Sequence, residues 1–330
     1  MSEVTYLAAE ADPAVDQFLK QAADRFETDV VSPGSGVLDV LPGNPTAVVL
    51  GPGVSLALLN PGSCQAVQLV QLTRCTPGAA DVEAFSEHGI AVAGVSPALA
   101  PIVAERTLNL VHAALGLPTV EPGGSQSANQ RLAGKTVGII GLGRVGEQVA
   151  RKLGNTGART IYCDVRTAPQ GLAVELGLRR STLDLLLTKS DVVTVHVPWG
   201  PTTSPLIGPR ELSLLQPDAV LINMSHNRVV DEEALLDCLS SRSIRAAGLE
   251  TTADEPARED SRLLALDNVV TTPGADQDDA GAILAAASFA ADNVWRVLNG
   301  QEPGGLMDVI DFPRAGDPAF WSSKMSPRTR

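Results

Sequence analysis

Three glycines and an acid carry the clearest chemical signal in this 330-residue chain. The apolar run 137–140 opens into Gly141-Leu142-Gly143-Arg144-Val145-Gly146, and the stretch that follows has Val145, Val149 and Leu153 on one helical face. In such a turn Gly141 permits the tight bend, Gly143 lets the backbone approach a pyrophosphate, and Gly146 lets the helix pack closely on the strand. The helix start then presents unpaired N–H groups and a partial positive charge to phosphates. With 30 glycines in the chain the spacing alone could be chance, but its setting in strand, turn, helix and strand argues against that. Asp164 ends the next strand, 18 residues after Gly146, where it can accept hydrogen bonds from an adenosine ribose diol. It would repel a 2′-phosphate, so the expected cofactor is NAD. Arg166, two residues on, is the group that would instead favour NADP.

Other chemistries find less support. Cys64, Cys75, Cys163 and Cys238 are widely spaced and form no zinc or disulfide pattern, and the four histidines do not cluster. No metal is expected. The net charge of −13 argues against non-specific binding to nucleic acid or anionic membrane. Apolar runs fall far short of a bilayer span, and the acidic N-terminal stretch lacks the features of a secretory signal. A cytoplasmic protein with a small-molecule substrate is expected. Residues 131–180 hold nine bases against Glu147, Asp164 and Glu175, which suits a polyanionic ligand at the glycine turn.

The elements that must position these residues follow from periodicity. At 44% hydrophobic and only 3% aromatic, the cores must be built from Ala, Val, Leu and Ile. Strands are predicted at 4–8, 29–31, 47–50, 66–72 and 90–93, with a helix over 14–26. A helical run at 101–115 leads into a Pro/Gly/Ser/Gln loop at 117–130. A second pattern predicts strands at 136–140, 160–163, 192–197, 219–223, 245–249 and 269–272, then a long Ala-rich helix at 282–298 and an irregular tail from 304. Strands alternating with helices imply parallel sheets, and the length allows about two domains.

The stretches VGIIGLGRVGEQVA, SDVVTVHVPWGPTTSPLIG, LQPDAVLINMSHNRVVDEEAL, AAGLETTADEP and NVVTTPG occur in this order. Together they resemble the D-isomer-specific 2-hydroxyacid dehydrogenase family. The resemblance implies an α/β fold of two domains, a Rossmann-type dinucleotide-binding domain (101–294) inserted into a flavodoxin-like substrate domain (1–100 and 295–330). It also implies a homodimer with the 117–130 loop at or near the contact. Carried over position by position, Gly141, Gly143, Arg144, Val145 and Gly146 would hold the pyrophosphate and Asp164 the ribose. Val197, Pro198 and Thr203 would line the nicotinamide side. Met224, Ser225 and Glu250 match the remaining cofactor contacts, the last being usually Asp.

The family's catalytic set is altered. Its substrate-binding arginine falls at His226 and its acid–base histidine at Gly274, while its glutamate is kept as Glu255 before Pro256. Loss of a charge-assisted pair and of a general acid should leave little activity on ordinary 2-keto acids. Two readings follow. In the first, the chain is an NAD-dependent oxidoreductase with a non-standard anionic carbonyl or imine substrate. His226 and Glu255 then form a relocated acid–base pair, and Arg74 or Arg228 anchors the substrate. In the second, it is a non-catalytic NAD(H)-binding sensor or scaffold. His196, at a strand end facing the cofactor, is read as structural.

Overall fold

The computed structural model describes residues 3–8, 13–32, 41, 43–51, 54–73, 79–116, 131–200, 203–251, 262–273 and 280–307. From the N-terminus, β1 (Val4–Leu7), α1 (Pro13–Ala22), β2 (Thr28–Val31), β3 (Ala47–Leu50), β4 (Leu69–Leu72), α2 (Ala79–Glu87) and β5 (Ala91–Ala93) lead into α3 (Ser96–Gly116). Then come β6 (Thr136–Ile140), α4 (Arg144–Leu153), β7 (Arg159–Cys163), α5 (Gln170–Glu175), β8 (Arg179–Arg180), α6 (Leu183–Lys189) and β9 (Val192–Val195). The order closes with α7 (Pro209–Ser213), β10 (Val220–Asn223), α8 (Glu232–Ser240), β11 (Ala246–Thr251), β12 (Val269–Pro273) and α9 (Ala280–Leu298).

The chain divides into two compact units, one from Met1–Leu99 with Asp278–Phe312 and one centred on Ala100–Gln277. The first contains a parallel sheet in the order β2-β1-β3-β4-β5, the flavodoxin-like arrangement. Its strands are short runs such as AVVL and LVQL, buried on both faces as a covered parallel sheet requires. The expected second boundary at residue 295 falls inside α9 and is corrected by the packing of that helix. Ala286, Ala287, Ala290, Ala291, Val294 and Val297 form one core with Tyr6, Phe18, Val49 and Leu69 of the first unit. The chain therefore returns near Asp278, before α9 begins.

The second unit has seven parallel strands in the order β12-β11-β10-β9-β6-β7-β8. Strand order reverses between β6 and β9, which is the Rossmann topology and places a crevice at the carboxyl ends of those two strands. One sheet face carries Val137, Ile139, Val192, Val220, Ile222 and Ala246 against α3 and α4. The other carries Ile140, Val193, Val195, Leu221 and Ala247. Every predicted strand has a counterpart. The two-residue β8 has no apolar signature, being Arg179 and Arg180 at the sheet edge. β11 runs on to Thr251 rather than stopping at 249, so Glu250 lies within the strand. The 117–130 loop and the tail beyond 307 lie outside the described residues.

A buried polar cluster joins distant parts of the first unit. Asn293 on α9 donates through Nδ2 to Gln71 Oε1 on β4 (2.7 Å) and to the Gly304 carbonyl (2.8 Å). Its Oδ1 accepts from the Gly304 N–H (2.8 Å). Gln71 Nε2 in turn donates to the carbonyls of Leu72 and Ala93. The segment so held then pairs with β5, the Met307 N–H donating to the Val92 carbonyl at 2.9 Å. Replacing Asn293 with Leu strands a buried amide oxygen and a backbone N–H. We expect a loss of about 2–4 kcal/mol, read as a lower urea midpoint for the transition of this unit.

Candidate functional site

The glycine turn has a different constraint at each position. Gly141 sits at φ +90°, a left-handed conformation, and a Cβ there would lie 2.6 Å from the His196 carbonyl oxygen. At Gly146 a Cβ would stand 2.1 Å from the Gly141 carbonyl oxygen, so only glycine lets α4 seat against the end of β6. Gly143, the residue before α4, would place a Cβ in open space and supplies no side-chain cap. The first N–H groups of α4 are thus not claimed by any side-chain cap, as an anion site at a helix start requires.

Asp164 follows β7 and is bound into this turn. Its Oδ2 accepts from the Leu142 N–H and its Oδ1 from the Arg166 N–H, both at 2.7 Å. Arg180 steadies the same corner by donating to the Asp164 carbonyl (2.9 Å) and to Thr167 Oγ1 (3.0 Å). The acid therefore holds the loop in shape. Burial first, and the neighbouring Asp164 charge second, push the Cys163 thiol up to about 12, so it stays protonated.

On the other side of the crevice, the ends of β9 and β10 are tied together. The Val197 N–H donates to Ser225 Oγ (2.9 Å), and the Ser225 N–H donates to Asn223 Oδ1 (3.0 Å). Thr203 closes the loop after β9 by donating from Oγ1 to the Pro198 carbonyl (2.8 Å). Met224 donates its N–H to the Val195 carbonyl at 3.1 Å. Both ring nitrogens of His196 are out of reach of solvent and make no hydrogen bond among the described residues. Burial pushes this imidazole down to about 3, so it is neutral at ordinary pH.

His226 begins the turn Asn227–Val229, where its Nδ1 accepts from the Arg228 N–H at 3.1 Å. An accepting Nδ1 means that the ring's proton is on Nε2. The imidazole stacks on Trp199, with centroids 4.4 Å apart and planes 13° from parallel. The Arg228 guanidinium lies 5.7 Å from the Trp199 ring centroid, and Trp199 itself is 47% exposed. Glu250, at the end of β11, lies 3.9 Å from Arg106 on α3.

Residues 119–274 match the sequence profile of the D-isomer specific 2-hydroxyacid dehydrogenase, NAD binding domain. The chain is 32% identical over 243 residues to a D-3-phosphoglycerate dehydrogenase of Methanocaldococcus jannaschii, a match covering 71% of this chain and 46% of that protein. It belongs to the D-isomer-specific 2-hydroxyacid dehydrogenase family. Its second unit is the family's NAD-binding domain. A glyoxylate reductase of Thermococcus gammatolerans is 38% identical over 185 residues, which are 56% of this chain and 55% of the relative. The chain thus spans about half the length of the curated relatives it matches. In fold it is similar to the PH0520 protein from Pyrococcus horikoshii, with a TM-score of 0.74 at 21% identity over 94% of this chain and 97% of that one.

For this family member, the glycine turn, Asp164, Val197, Pro198, Thr203, Met224, Ser225, His226 and Glu250 all lie in the second unit, at or just beyond its strands' carboxyl ends. Arg74, Glu255 and Gly274 lie outside the described residues, so the expected pairing of His226 with Glu255 has no described geometry. Two neighbours were not singled out from sequence. Trp199 stands in the quoted stretch beside Pro198, and an exposed tryptophan there was the available signal. Arg106 meets a partner 144 residues away in sequence, which no local pattern reveals. Among the described residues, no helix is long and apolar enough to cross a membrane, and no His, Cys, Asp and Glu group is arranged to hold a metal.

The turn generates a paired prediction. Gly143→Ala should leave stability within about 1 kcal/mol of wild type, because its methyl meets nothing, yet weaken NADH binding ~10-fold or more by obstructing the pyrophosphate. Gly146→Ala should instead cost about 2–3 kcal/mol of stability. Fluorescence titration and urea unfolding separate the two, and undiminished NADH binding by Gly143→Ala would move the pyrophosphate elsewhere. His196 generates a second. Its folded value lies below the ordinary ~6.5, so unfolding takes up a proton below that pH and stability falls on acidification from about 6.5 towards 3. His196→Gln should flatten this fall by up to ~1.4 kcal/mol per pH unit, measured as unfolding midpoints across the range.

Proposed function

We propose that the chain is an NAD-dependent oxidoreductase of the 2-hydroxyacid dehydrogenase type, acting on an anionic carbonyl or imine that is not an ordinary 2-keto acid. The observation that carries this reading is the glycine turn at the uncapped start of α4, in a chain with histidine at the position of the family's arginine. The bare start of α4 and the space at Gly143 fit a pyrophosphate. In this reading Gly141, Gly143, Arg144, Val145 and Gly146 hold it, and Asp164 receives the ribose and favours NAD over NADP. Val197, Pro198, Thr203, Met224, Ser225 and Glu250 enclose the nicotinamide half. NAD supplies or takes a hydride when bound.

The chain's own residues then have to hold the substrate and manage its proton. To act as an acid through an imidazolium, His226 would need a proton on Nδ1 and would lose its bond from the Arg228 N–H. The geometry therefore favours the neutral ring as a donor from Nε2 to the substrate oxygen or nitrogen, countering the negative charge that builds there. Glu255 remains the proposed proton carrier, and Arg228 or Arg74 the anchor for the anionic group. The proposal extends to a cytoplasmic homodimer.

Purified protein assayed with NADH against 2-keto acids, aldehydes and imines tests the reading. Turnover is expected on a member of the panel other than pyruvate, glyoxylate or hydroxypyruvate. On that substrate His226→Ala should lower kcat by ~10²-fold or more at saturating NADH, whereas a ring that only shapes the loop would leave kcat nearly unchanged. Tight NADH binding without turnover on any substrate would favour the sensor or scaffold reading. That reading draws on the stacked His226, its Nδ1 taken up by a backbone N–H, at the position of the family's arginine.

A further inference from the structure

Strand register sets five residues in a line across the second sheet. Ile140 pairs with Val195, Val195 with Asn223, and Asn223 with Leu249, so the next residues, Gly141, His196, Met224 and Glu250, stand side by side. Glu250 pairs in turn with Thr272. Alternation puts Met224 on the face of Val220 and Ile222, and Glu250 on the face of Ala246, which is the face covered by α3 and α4. A Cβ on Gly248 would meet Leu110 of α3 at 3.3 Å. One turn earlier on that helix, Arg106 stands over Glu250, two residues further along the strand. Their charged groups are 3.9 Å apart, with side chains 18% and 9% exposed.

With the pyrophosphate at Gly141 and the adenosine ribose towards Asp164 on the β7 side, the other half of the dinucleotide must cross to β9, β10 and β11. Glu250 lies three strands from Gly141, roughly 14 Å at the usual strand spacing, within the span of that half. His196 in the same line is uncharged at ordinary pH. Glu250 is therefore the charged residue of this line, and Arg106 on α3 is the cation that stands over it. We propose that Arg106 is a positioning residue that neutralises Glu250 and thereby sets how the domain discriminates reduced from oxidised nicotinamide. This rests on the dinucleotide placement given above.

The physical reason is the charge that the ring itself carries. Oxidised nicotinamide is a cation and the reduced ring is neutral, so an uncompensated carboxylate in a largely buried site would select the oxidised form. Family members have arginine where this chain has His226, whose ring is held with Nδ1 as an acceptor. Arg106 supplies a cation from α3 instead, directed at the acid.

Binding of NAD⁺ and NADH by calorimetry to the full chain and to Arg106→Leu, Arg106→Lys and Glu250→Gln tests this without turnover. Arg106→Leu should shift the ratio of the two dissociation constants ~10-fold or more towards NAD⁺. Arg106→Lys should keep it within about threefold, and Glu250→Gln should move it towards NADH. A merely structural ion pair would lower the melting temperature and leave the ratio unchanged, and that result overturns the proposal. Should Arg106→Leu fail to fold, Glu250→Gln decides: an unchanged ratio refutes the idea and a shift towards NADH supports it. Wild type binding neither nucleotide would instead refute the dinucleotide placement on which the proposal rests.

Discussion

The approach of Gly146 to the carbonyl of Gly141 is the contact to which the candidate site is referenced. A Cβ there would come within 2.1 Å of that oxygen, so the absence of a side chain is what allows α4 to begin directly above the end of β6. Once the helix is seated, its N-terminus, the Gly143 opening and the Leu142 N–H that Asp164 binds all take fixed positions. β9 adjoins β6, and the His196 carbonyl stands so close to Gly141 that it leaves no room for a side chain there either. The line from Gly141 to Thr272 is thus one rigid edge, in which each residue's place follows from its neighbour's hydrogen bonds.

Much of this was legible in the residues because the controlling interactions are local or periodic. Runs such as VVTV and AVVL are β-branched or aliphatic at every position, the pattern of a strand covered on both faces. The glycine turn carries its meaning within six residues. What escaped was non-local. The boundary in α9 could not be read from its Ala-rich sequence, since alanines make a helix without saying which core it faces, and only packing on Tyr6 and Phe18 assigns it. Arg106 is one polar residue in a helical run, and its ion-pair partner Glu250 comes beneath it only through the fold.

In the proposed function, His226 changes the character of the substrate site without emptying it. An arginine is always charged and forks towards a carboxylate; an imidazole with one nitrogen accepting a backbone N–H is a neutral, single donor. Trp199 fixes its plane by stacking, and Arg228 sits near the same indole, so positive charge remains nearby but attached to a different scaffold. Recognition in such a site shifts from a rigid two-point clamp on a carboxylate to separated contacts with a donor, an aromatic surface and a cation.

The bond between Asn293 and Gln71 spans 222 positions of the chain. At the usual ~5–20 residues per second, a ribosome needs roughly 10–45 s to travel between them. All five strands of the first sheet have been synthesised by Ala93, yet the helix that covers Tyr6 and Val49 and satisfies the Gln71 amide has still to be made. For that interval the nascent chain carries an apolar sheet surface without its cover. Until α9 is made, the discontinuous first unit leaves that surface open to association with other chains.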